Sequence, residues 1–189
     1  FEETAGYAIA KAYWQERIPQ LPPAPNLPLA IAPSQLTHPR FVRRVARLDS
    51  ERWQFLKQQA TQMGLTPSAL LLAVYAEVLA TWSKSKTFSI NLTTFNRLPI
   101  HPQVQNLIGD FTSLTLLGVD YTQPNAFKHR ARQLQQQLWQ DLEHSMFSGV
   151  AVMREMMIQT REQVTMPVIF TSLLANPQLQ ERAAARSEE

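Results

Sequence analysis

Cysteine is absent from all 189 residues, which excludes a disulfide framework, a cysteine nucleophile and a thiolate metal site. That absence is compatible with a reducing compartment. Charge of one sign is also lacking: 18 basic against 15 acidic residues leave a formal +3, too slight an excess to imply a polyanionic partner. Arg40, Arg43, Arg44 and Arg47 form the one basic cluster. It has no reading element beside it, so no nucleic-acid partner is expected, and a solvated strand edge is preferred. His38, His101, His129 and His144 are widely spaced without a carboxylate arrangement, and no metal is expected. The most apolar stretch, Ala69 to Trp82, is interrupted by Tyr75, Glu77 and Thr81 and falls short of the roughly 18 residues a membrane helix requires. The first residues, FEETAGYAIAKAYW, lack the pattern of a signal peptide. A cytoplasmic chain without membrane association is the expectation.

What is present suits one domain: 44% apolar residues suffice for a core without staples. Tyr7 to Ile18 reads as an amphipathic helix ended by Pro19. A tether follows over 19–39. Between Pro19 and Pro33 it holds six prolines and no glycine, and it should be extended and stiff. It either recruits a recognition domain or packs across its own domain.

Phe41 to Leu48 reads as a strand. Asp49 or Ser50 then caps a helix carrying Trp53, Leu56, Ala60 and Met63, which Gly64 ends. Thr66-Pro67 starts a second helix, apolar on nearly every side and expected to be central. Further strands are predicted over Thr87–Phe95, Ser113–Val119 and Val168–Leu173, with a loop at Pro99–Asn106 and helices from Asn125 and over Val150–Ile158. Strands interleaved with helices predict an α/β fold, a layered sandwich of a mixed sheet with flanking helices.

Two segments share a tripeptide. Ile108 to Leu117 reads IGDFTSLTLL and Pro167 to Leu174 reads PVIFTSLL, so each of two apolar strands carries a Phe-Thr-Ser insert. Together with LPPAPNLPL at Leu21, TPSALLLAVYAEVLATWS at Thr66 and HSMFSGVAVMREM at His144, they form five ordered segments. This set resembles the heterocyclization domains of nonribosomal peptide synthetases, a branch of the condensation-domain family.

The resemblance implies a fold like one lobe of chloramphenicol acetyltransferase, with the active site between two such lobes. The family's amino-terminal lobe, with its DxxxxD signature, has no counterpart here, nor has the histidine pair of ordinary condensation domains. Residues 40–174 therefore look like the carboxy-terminal lobe, preceded by a helix at 1–18 and the tether. Residues 175–189 form a tail in which the family's next, aspartate-containing motif is not found. The expected reaction condenses a carrier-bound acyl or peptidyl thioester with a cysteinyl, seryl or threonyl thioester, then cyclodehydrates the amide to a thiazoline or oxazoline. The expected partners are the missing lobe, the upstream and downstream carrier proteins and an adjacent adenylation domain. Substrates would arrive on carrier phosphopantetheine, with no cofactor bound directly, and the lobe alone would be inactive.

By the same resemblance Thr171 matches the threonine implicated in cyclodehydration. Its hydroxyl is too weak a base to act unaided, but it can donate to an oxyanion and relay a proton. A cross-strand hydroxyl pair is the plainer alternative. Ser172 falls on the opposite strand face unless a bulge presents both residues, and no GxSxG turn makes it a nucleophile. Asp110 and Thr112, in GDFTSL, offer either a turn cap or an acid–base group. Asn91, Asn96 and Arg97, in NLTTFNR, match a further family segment, in which an asparagine could hold an amide. Ser148, before Gly149, caps a helix and could line a channel at once. The alternative functions are an ordinary amide-forming condensation domain and a noncatalytic lobe that docks carrier proteins.

Overall fold

The computed structural model describes residues 3–95 and 101–174. Asn96 and Arg97, and the tail 175–189, lie outside the described residues. A mixed three-stranded sheet is ordered β2-β1-β3, with β1 at Thr87–Phe95, β2 at Thr112–Asp120 and β3 at Ile169–Thr171. β1 runs antiparallel to β2 and parallel to β3. The α-helices are α1 Ala5–Arg17, α2 Ser50–Met63, α3 Pro67–Trp82, α4 Phe127–Glu143 and α5 Gly149–Thr160.

Alternation along the central strand explains the layers. Phe88, Ile90 and Leu92 of β1 and Leu117 and Val119 of β2 point to one face, where they pack with α3 and with Ala131 and Leu134 of α4. Full burial of such side chains stabilises by about 1.5–3 kcal/mol each. The opposite face contributes Leu116 to a second core, built with Ala10 and Trp14 of α1, Val152 and Met156 of α5, and Ile18, Leu21, Phe147 and Met166. Helices thus cover both faces, as the predicted sandwich requires.

Caps delimit the helices as their sequences dictate. The Arg52 backbone N–H donates to Asp49 Oδ1 at 2.8 Å, and Gly64 closes α2 at φ 71°. Thr66 Oγ1 accepts from the Ala69 N–H at 3.1 Å, with Pro67 at the first helical position. The region predicted as a loop, Pro99–Asn106, contains a 3₁₀ helix at Pro102–Asn106.

The proline-rich tether packs across its own domain. The Ser89 N–H donates to the Pro23 carbonyl at 2.8 Å, and Ser89 Oγ donates to the Pro22 carbonyl at 2.6 Å. Farther along β1 the Asn91 N–H is taken by the Val168 carbonyl at 3.0 Å. The tether therefore occupies the β1 edge just before β3 takes it over. At the β1 edge the tether presents carbonyls, which prolines leave intact, while farther along the Asn26 N–H donates to Ser83 Oγ at 3.1 Å.

One predicted strand is absent. Phe41 to Leu48 is irregular and exposed, with Phe41 at 99% exposure. Alternate positions read Phe, Arg, Val, Arg and Val, Arg, Ala, Leu, so either face would carry arginine into a core. Both edges of β1 are also taken, by β2 on one side and by β3 and the tether on the other. The cluster Arg40, Arg43, Arg44 and Arg47 is accordingly an exposed coil and not a strand edge.

Candidate functional site

The register brings the two Phe-Thr-Ser segments to the same end of the sheet. Thr112 opens β2 opposite Phe95, the last residue of β1, and Thr171 closes β3 opposite Thr93. Thr112, Phe95, Thr93, Thr171, Leu114 and Asn91 alternate onto the face that also carries Leu116. The inserts therefore sit at strand ends, where backbone pairing stops and side chains reach solvent.

Within the second tripeptide the two hydroxyls separate. Thr171 is exposed, and its Oγ1 donates to Thr93 Oγ1 at 2.9 Å. Ser172 turns the other way and lies 2.8 Å from Ser68 Oγ at the start of α3. No bulge presents both residues to one side. Ser172 ties β3 to α3, and Thr171 alone of the pair stands on the open face.

Asn91 sits on the same face, one alternation further along β1, about 7 Å from Thr93. It is only 5% exposed, and among the described residues its Oδ1 has no hydrogen-bond partner. A buried amide oxygen left unpaired costs free energy and stands ready to accept a donor. Ser148 lies across β2: its Oγ accepts from the Ala151 N–H at 3.3 Å and caps α5. Gly149 lets that helix end touch the strand, because a Cβ there would stand 2.8 Å from the Leu114 carbonyl oxygen. Leu114 pairs with Thr93, which pairs with Thr171, so the α5 N-terminus lies against the same row.

Asp110 is fully exposed and accepts from the Thr112 N–H at 2.8 Å. Hydrogen bonding from the Thr112 side chain and backbone holds its carboxyl below the ordinary aspartate value. This geometry is that of a turn cap at the head of β2. Thr93, within NLTTFNR, is not marked by the sequence, because nothing in the local pattern tells which residue β3 will pair with. The clefts lined by Gly118, Tyr121 and Arg130, and by Leu21, Met156 and Met166, include neither threonine. Among the described residues the threonine row forms a ledge bordered by the α5 N-terminus.

The condensation-domain family model matches residues 1–189. The chain belongs to the condensation-domain family. Among curated proteins it is 40% identical to bacitracin synthase 1 of Bacillus licheniformis over 181 residues, 94% of this chain and 3% of that protein. It is also 40% identical to phenyloxazoline synthase MbtB of Mycobacterium tuberculosis over 176 residues, 92% of this chain and 12% of that one. Among solved structures it is similar to the EpoB cyclization-docking bidomain of a nonribosomal peptide synthetase from Sorangium cellulosum. There the TM-score is 0.83 at 39% identity, covering 92% of this chain and 36% of the other. The chain thus spans a small fraction of the synthetases it matches and about a third of the bidomain. The mixed sheet with helices on both faces is that of a condensation-type domain, and the heterocyclization resemblance read from the five motifs agrees with the cyclization neighbour. No single helix among the described residues is long and apolar enough to cross a membrane.

Proposed function

We propose that this chain is the carboxy-terminal lobe of a heterocyclization domain, and that Thr171 serves the ring-closing dehydration. The observation that carries this reading is the division within Phe170-Thr171-Ser172: the serine is tied into the fold, and the threonine stands on an exposed face with a hydroxyl partner.

In the proposed reaction the amine of a carrier-bound cysteinyl, seryl or threonyl thioester attacks the upstream acyl thioester, and the carrier thiol leaves. The side-chain thiol or hydroxyl then attacks the new amide carbon. The tetrahedral centre loses its oxygen, with the nitrogen proton and one further proton, as water, and a carbon–nitrogen double bond remains. This second step requires a donor at the departing oxygen and a group that holds the amide. In this reading Thr171 Oγ1 supplies the first, and Asn91, whose buried Oδ1 has no partner among the described residues, is assigned the second.

Water must be kept from such a step, and Thr171 is exposed. A second lobe facing this ledge would supply the exclusion, and the lobe alone should be inert. Substrates would come on the phosphopantetheine arms of carrier proteins, next to an adenylation domain, in a cytoplasmic synthetase. Residues 19–39 are assigned to a tether and 40–174 to the lobe proper, with Asp110 as a structural cap and Ser148 shaping the wall.

Thr171→Ala in the complete domain tests the assignment by intact mass of the carrier-bound product. Accumulation of open amide, one water heavier than the ring, supports the role. Wild-type ring product at the wild-type rate removes Thr171 from the chemistry.

A further inference from the structure

Thr93 is the hydrogen-bond partner of Thr171 and has no role in the reading above, on which the following rests. The two residues are paired across parallel strands, and Thr171 Oγ1 donates to Thr93 Oγ1 at 2.9 Å. Both occupy the sheet face that bears Asn91 and receives the α5 N-terminus. Thr93 is half-buried while Thr171 is exposed, so the inner hydroxyl holds the outer one. β-Branching fixes each side chain to few rotamers within a strand. The pair is a rigid support and not a chance encounter of long side chains.

We propose that Thr93 is a positioning residue for ring closure, acting through Thr171. A hydroxyl carries one proton and two acceptor sites. With Thr171 donating to Thr93, its own lone pairs face outward and can accept from substrate. When both hydroxyls rotate, Thr93 donates to Thr171, and the Thr171 proton is free for the departing oxygen. In that arrangement the inner bond polarises the outer one, since linked hydroxyls strengthen each other. No proton passes between the two threonines, and no bond is made or broken at Thr93. Its contribution is to hold Thr171 Oγ1 in place in either orientation, which Thr171 alone on a solvent-facing strand end cannot ensure.

The experiment compares Thr93→Val, Thr93→Ser, Thr171→Val and the double variant Thr93→Val/Thr171→Val in the complete domain. The readout is the ratio of open amide to ring on the carrier, followed in time by intact mass. Fewer folded molecules lower both products together and leave this ratio alone.

The proposal expects Thr93→Val, which keeps shape and strand preference, to slow ring closure relative to amide formation about tenfold, the equivalent of one hydrogen bond. Thr93→Ser should restore the ratio, and the double variant should match Thr171→Val. If Thr93→Val closes rings as the wild type does while Thr171→Val accumulates amide, Thr93 has no such role and the Thr171 reading stands. If serine does not rescue, packing and not the hydroxyl is responsible, and the proposal falls. A double variant worse than Thr171→Val also overturns it, because Thr93 would then act independently. If Thr171→Val itself forms ring at the wild-type rate, the underlying reading fails and takes this one with it.

Discussion

The Ser172 hydroxyl lies 2.8 Å from that of Ser68, joining the residue after β3 to the first turn of α3. That bond sends Thr171 to the opposite face, because neighbours in an extended chain alternate. The serine bond and the Thr93–Thr171 register agree on where the threonine points.

Removing either hydroxyl should therefore affect stability before chemistry. Ser172→Ala and Ser68→Ala are each expected to cost about 1 kcal/mol, and the double variant little more than either alone. Chemical denaturation of the four species measures the coupling. Full additivity would mean that the two hydroxyls are independently solvated.

Gly149 packs α5 directly on β2, with the Leu114 carbonyl oxygen 2.8 Å from where a Cβ would stand. Gly149→Ala must push the helix away from β2, and backbone cannot move aside as a flexible side chain does. A loss of about 1–3 kcal/mol is expected, the usual range for overpacking. A melting temperature equal to that of the wild type would show that α5 shifts without cost.

Trp14 belongs to the amino-terminal helix yet has no solvent exposure, and its Nε1 donates to the His144 carbonyl at 3.1 Å. Trp14→Ala should cost about 3–5 kcal/mol, read by denaturant titration. A loss under about 1 kcal/mol would mean that α1 is an appendage to the lobe, outside its core.

Asp141 is fully buried beside α1. Its Oδ1 accepts from the Tyr13 hydroxyl at 2.7 Å and from Gln137 Nε2 at 3.0 Å, with Arg17 Nε at 3.3 Å. Burial raises its pKa above the ordinary aspartate value and outweighs the lowering by Tyr13, Arg17 and Gln137. Burial, and then the bond to Asp141, likewise push Tyr13 up to about 12. A raised carboxyl pKa means that the folded state holds the proton more tightly than the unfolded one. Its stabilising share is complete below the unfolded value, near 4, and is lost as pH rises through the folded value. Wild-type stability relative to Asp141→Asn should therefore fall across that window and then level off. A difference that stays flat, or grows with pH, would show that the carboxylate is ionised throughout and stabilised by its donors.

Much of the fold was legible in local chemistry. β1 runs from Thr87 to Phe95 as its composition predicts, and Asp49, Gly64 and Thr66-Pro67 punctuate the helices where their side chains and φ preferences place them. Phe41–Leu48 was misread because β-prone residues make a strand only when an edge and an apolar face await them, and neither is local information. The candidate site divides in the same way. Thr171, Asn91 and Ser148 carry visible motifs, whereas Thr93 acquires meaning only from a parallel pairing 78 residues away in the chain. The separate fates of Thr171 and Ser172 likewise depend on where α3 starts.

Ring closure is read from the mass of what the complete wild-type domain leaves on its carrier protein. Supplied with an acyl thioester and a cysteinyl, seryl or threonyl thioester, the domain is predicted to yield a species one water lighter than the coupled amide. A product that stays at the mass of the open amide, formed at full rate and never losing water, would make this an ordinary condensation domain and contradict the account.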